Sequence, residues 1–81
     1  MKILIDIAGQ NDKRTELADI PATGATVQAI AEAAGLDTKD KDFSVNGQPA
    51  GLDRHIGPAD VQAAKEKGAA VLSISARPVG S

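Results

Sequence analysis

One stretch with sustained helical periodicity, set among stretches of period two, constrains this chain more than any other feature. Val27, Ile30, Ala31 and Ala34 recur at helical spacing, with Gln28 and Glu32 on the other side. The Thr26 hydroxyl can accept an orphan backbone N–H of the first turn, with Thr23 as the competing cap. Gly35 suits the left-handed position after the last turn, and Leu36 can pack back on it. Ahead of this helix, Ile3, Ile5 and Ile7 alternate with Lys2, Leu4 and Asp6, which predicts a half-buried strand. Gly9-Gln10-Asn11-Asp12 supplies turn chemistry. A second, weaker strand runs from Arg14 to Ile20, with Leu17 as its apolar residue, acidic neighbours outside and Pro21 as its stop.

Beyond the helix, Asp37 to Asp42 is a polar connection and Phe43-Ser44-Val45 alternates again. Asn46-Gly47 is a strong turn signal, so Gln48 to Leu52 reads as a short returning strand. Gly57-Pro58 opens a short helical segment through about Glu66, which Gly68 closes. Ala70, Leu72 and Ile74 then alternate with Val71, Ser73 and Ser75 as a last strand. One long helix covers the face of a sheet only if the sheet curls around it. The expected architecture is therefore α+β: a mixed, curled sheet of four to five strands packed on one main helix, the β-grasp arrangement. The last strand pairs parallel to the first through the long crossover. Residues 1–76 form the expected single domain, and 77–81 are left as a flexible C-terminal tail.

Several functions are disfavoured by what the chain lacks. It has one Phe and no Trp or Tyr, so the aromatic platforms that stack nucleic-acid bases are missing. Nine basic and eleven acidic residues give a net charge of -2 and no broad cationic surface for a phosphate backbone; Lys13-Arg14 is too small a patch. Zero cysteines exclude disulfides, thiolate metal sites and a cysteine nucleophile. No apolar run approaches a membrane span, and the start lacks a signal peptide's pattern, so a monomeric cytoplasmic protein is the expectation. His55 is the single histidine, and neither Asp53 nor Asp60 stands at ligand spacing to it; it reads as a surface residue. Ser44, Ser73 and Ser75 lack a nucleophile motif and read as outward strand positions. Lys39, Lys41, Lys65 and Lys67 read as solvated lysines. No catalytic residue, metal site or bound cofactor is expected.

The element order resembles ubiquitin, the ubiquitin-like modifiers and the related sulfur carriers of thiamine and molybdopterin synthesis. The likeness covers the whole chain. It is carried by the Met-start strand, Thr26-Val27 opening the helix, Val45-Asn46-Gly47, the Asp53 to Val61 crossover, and Val71-Leu72-Ser73-Ile74 leading into the tail. The tail ends Val79-Gly80-Ser81 and departs from the mature families' Gly-Gly. It is similar to an unprocessed ubiquitin-fold modifier whose Val-Gly end is followed by an extension that a protease removes.

The resemblance implies that Ser81 is trimmed and that Gly80 carries the reactive carboxylate, with Arg77, Pro78 and Val79 contacting the partner enzyme. Those partners would be an adenylating activating enzyme that uses ATP, a conjugating enzyme and a processing protease, in a bacterial setting. A carboxylate is a poor electrophile at neutral pH, hence the acyl-adenylate and then a partner's thiolate. Glycine has no Cβ to obstruct a narrow channel. Two other readings stay open: a sulfur carrier bearing a C-terminal thiocarboxylate, which the missing Gly-Gly disfavours, and a non-covalent adaptor or scaffold. Ubiquitin's outer sheet face carries an apolar recognition patch. Here Ser44, Ser73 and Ser75 make that face polar, leaving Leu4 and Val71 as the exposed apolar residues of a partner surface.

Overall fold

A computed structural model describes residues 1–9 and 13–76. The alternating isoleucines form β1 (Lys2–Ala8), which pairs antiparallel with β2 (Lys13–Asp19). A two-residue strand, β3 (Ala25–Thr26), leads into α1 (Val27–Ala33). Then come β4 (Lys41–Val45), β5 (Gln48–Ala50), the two-residue β6 (His55–Ile56), α2 (Pro58–Lys67) and β7 (Leu72–Ala76). The main sheet has the order β2-β1-β7-β4-β5. β7 lies at its centre, parallel to β1 and antiparallel to β4. The protein is thus an α+β domain with a mixed five-stranded sheet packed on one main helix, a β-grasp-like fold.

The helix starts and stops where its side chains dictate. Thr26 accepts the Ala29 N–H at 3.1 Å, and the Val27 and Gln28 N–H groups donate to the Arg54 and Leu52 carbonyls at 2.9 and 3.0 Å. At the other end Gly35 adopts φ +73, and the Leu36 N–H reaches the Ala31 carbonyl at 2.9 Å. The expected inward set is buried: Ile3, Ile5, Phe43, Val45, Leu72 and Ile74 meet Val27, Ile30 and Ala31 of the helix, joined by Ile20, Ile56, Val61 and Ala64. No polar or charged residue is buried among the described residues. This is an aliphatic core with one aromatic ring at its margin.

Three sequence expectations change, the first being helix length: the segment read as short, α2, has ten residues against seven for α1. Leu17 is not the inward residue of the second strand: Glu16 and Ala18 are half-buried, and Leu17 points out, 66% exposed. A strand with one apolar residue sets no parity, and a shift of one residue exchanges its faces. Val71 is not exposed; it is 2% exposed, because β7 begins only at Leu72 and the preceding bend turns Val71 into the core. Its N–H donates to the Leu4 carbonyl at 3.2 Å, while its carbonyl accepts from Asn46 at 2.9 Å. The paired short strands β3 and β6 were not foreseen at all.

That small ladder depends on Gly24, which has φ +94. A Cβ there would stand 2.1 Å from the Ile56 carbonyl oxygen and 2.8 Å from His55 Cε1. Backbone approaches backbone at this point, and only glycine leaves room.

Candidate functional site: the exit of the last strand

Because β7 is central, its end is held on both sides. Ala8 stands opposite Ser75 on β1, and Lys41 stands opposite Ala76 on β4. The described part of β7 thus ends at Ala76 between two strands already in place. The residues expected to act there, Arg77, Pro78, Val79, Gly80 and Ser81, lie outside the described residues.

Two open grooves flank this exit, and Ser75 borders both. One, of about 490 Å³, runs between Asp6, Lys13 and Thr15 on the β1–β2 side. The other, of about 690 Å³, runs along Asp42, Ser44, Pro49 and Gly51 on the β4–β5 side. Period two places Ser44, Ser73 and Ser75 on the face away from α1, as expected, and the registers set Ser44 opposite Ser73 and Asp42 opposite Ser75. Asp6 stands opposite Ser73 and accepts the Thr15 hydroxyl at 3.0 Å. The exit is lined by short hydroxyls and carboxylates together with the cations Lys13, Arg14 and Lys41. Such a surface can hydrogen-bond an incoming backbone, but it offers no imidazole or thiol.

The strongest polar cluster lies elsewhere, at the start of α2. Asp60 receives Arg54 Nη2 at 3.0 Å and Nη1 at 3.3 Å, and its second oxygen also takes the Gly57 N–H at 3.0 Å. The Arg54 hydrogen bond, then the Gly57 bond, hold the Asp60 carboxyl below the usual carboxylate range, against a partial opposing effect of burial. Arg54 also donates to the His55 carbonyl, and its own pKa is raised by the Asp60 hydrogen bond. Asn46 completes the cluster by donating to the Asp60 carbonyl at 3.1 Å. All of these groups bond one another, so the cluster fastens the β4–β5 turn and the crossover to α2 rather than presenting free valences. His55 itself is exposed, on β6 beside Gly24.

Among the described residues no group of three or more His, Asp or Glu side chains is placed to hold a metal ion, and no helix is long and apolar enough to cross a membrane. Lys39, Lys65 and Lys67 are exposed and Lys41 is half-buried. Leu4 is 41% exposed on the outer face, as expected, but its neighbour there is Leu17, directly opposite in the β1–β2 register, and not Val71. No protein-family model matches the chain, and no curated protein matches it.

Proposed function

We propose that this protein is a ubiquitin-like modifier that reacts through the Gly80 carboxylate, set free by cleavage after Gly80. The observation that supports the reading is the position of β7. It is bound on both flanks, which suits a rigid handle for a terminus that another protein's active site would act on. The polar hydroxyl-rich surroundings of the exit suit docking against a partner's backbone and differ from an apolar catalytic cleft.

The chemistry would proceed in three balanced steps on partner enzymes. A Gly80 carboxylate oxygen attacks the α-phosphorus of ATP and pyrophosphate leaves. A partner's thiolate attacks the resulting acyl carbon and AMP leaves. A target amine attacks the thioester and the thiol departs, leaving an amide. Every thiol comes from partners, since this chain has none.

The test is intact-mass spectrometry of the chain incubated with candidate protease, activating and conjugating enzymes and ATP. The expected result is loss of the residues after Gly80, followed by a covalent adduct whose linkage maps to Gly80. A chain left unchanged by enzymes that are active on their own control substrate defeats the proposal. A gain matching exchange of one oxygen for sulfur, with no amide to lysine, would replace it with sulfur transfer.

A further inference from the structure

Leu4 and Leu17 are the two large hydrophobic residues exposed among the described residues, and they are cross-strand partners. They do not stand alone. They border a groove of about 330 Å³ that continues across Ile3 to Val61, Ala64, Gly68 and Ala69. Its walls are the outer face of β1–β2 on one side, and the C-terminal half of α2 with the bend before β7 on the other. The cleft is almost wholly aliphatic, with Val71 buried at its floor.

Its charge is one-sided. Lys2 and Lys65 are the charged residues that line it, and no carboxylate does. Neither lysine forms an ion pair among the described residues. The nearest carboxylate by register is Asp19, opposite Lys2, and it lies 3.3 Å from the Met1 ammonium. Glu16 faces the other way, into the groove between β2 and α1. On its groove side the exposed aliphatic pair therefore meets only cations, Lys2 and Lys65, while along the β1–β2 ladder the same face carries Asp19 opposite Lys2 and Asp6 two residues beyond Leu4.

From this complementarity we propose that the groove docks a partner segment bearing an aliphatic or aromatic anchor flanked by carboxylates, the anchor seated on Leu4 and Leu17 and the carboxylates meeting Lys2 and Lys65. Two other occupants fit less well. A second copy of this chain would bring its own Lys2 and Lys65 against the same rim. The chain's own terminal segment fits less well on charge and on where β7 stops: β7 runs parallel to β1 and ends at Ala76, beyond Ala8 and away from Lys2, and the next residue in sequence, Arg77, carries the wrong charge. This docking does not depend on any chemistry at Gly80. A modifier or an adaptor would use it alike.

The experiment is an NMR titration of the full chain with a short synthetic amphipathic peptide in which Leu and Phe are flanked by Glu. Its control is the same peptide with every Glu replaced by Lys. The expected perturbations fall on the amides of Lys2, Leu4, Leu17 and Lys65 through Ala69. Leu17→Ser weakens binding at least about tenfold, and so does Lys2→Glu with Lys65→Glu, the latter also reversing the preference between the two peptides. Raising salt from about 50 to 500 mM weakens the Glu peptide alone. Equal binding of both peptides, absent binding at millimolar peptide, or perturbations confined to the β4–β5 groove would each overturn the proposal. So would a peptide-free dimer in sedimentation that Leu17→Ser abolishes, since a second copy would then be the occupant. Both leucines are exposed, and matching spectra of the variants check that the fold survives.

Discussion

Replacing Gly24 by alanine tests the least conspicuous joint of the fold. Two separate penalties act. The first is conformational: φ +94 is disfavoured for any residue with a Cβ, by about 1–2 kcal/mol. The second is steric. The new methyl would lie 2.1 Å from the Ile56 carbonyl oxygen, so the backbone must part by about 1 Å before contact is tolerable. The contact faces the β3–β6 ladder, with Ala25 opposite Ile56 and Thr26 opposite His55. Opening it sacrifices one or two net hydrogen bonds, each about 0.5–1.5 kcal/mol. The sum is about 2–5 kcal/mol, which lowers the Tm of a domain of this size by roughly 10–30 °C. Gly35→Ala isolates the first penalty. Gly35 has φ +73 and nothing within 4 Å of the added atom, so it should lose only about 1–2 kcal/mol. Thermal and urea unfolding followed by circular dichroism measure both variants. If Gly24→Ala loses no more than Gly35→Ala, the close approach of the two backbones is not what the site requires of glycine.

Three further outcomes are expected. Ile30→Ala, at the centre of the helix's buried face with 1% exposure, should lose about 2–5 kcal/mol in urea titrations; a loss under about 1 kcal/mol would mean the helix is not the cover of the sheet. Leu17→Ser should leave stability within about 0.5 kcal/mol by the same assay, and a larger loss would show that Leu17 packs inward. For Asp60, the folded carboxyl titrates below its unfolded value, so its contribution is complete above the unfolded value of about 3.9. It disappears as pH falls through the lower folded value. The stability gap between the parent and Asp60→Asn should therefore be flat from about pH 8 to 5 and close toward acid. A gap that widens on acidification would contradict the Arg54 and Gly57 bonds as its source.

How much of this was legible beforehand differs from element to element. β1, α1 and β7 each carry three or more apolar residues at one period, so their faces were fixed before any contact was known. Caps and turns were equally plain, because Thr26, Gly35, Asn46-Gly47 and Pro58 act on their own local backbone. Leu17 reads inward from the sequence but faces out, because an edge strand with one large apolar residue offers no second point to set parity. Val71 continued a visible alternation, yet the strand ends one residue short of it, and only the hydrogen bonds to Leu4 and Asn46 show the bend. Gly24 gave no signal: between Thr23 and Ala25 it reads as an ordinary turn residue, while its requirement comes from Ile56, a tertiary neighbour. The groove beside α2 was half visible, through Leu4. Of its lysines, Lys65 reads from sequence as ordinary solvated charge, and only the fold places it on one rim with Lys2.

The central parallel pair has a mechanical consequence. β1 sets out from Lys2, and β7 finishes at Ala76 on the opposite side of the sheet. Tension applied across Met1 and Ala76 would slide these neighbours lengthwise past each other, so the rungs between Ile5–Ala8 and Leu72–Ser75 share the load at once. A pulling machine that grips both ends would meet stiff resistance. One that peels from β5 would break rungs one at a time.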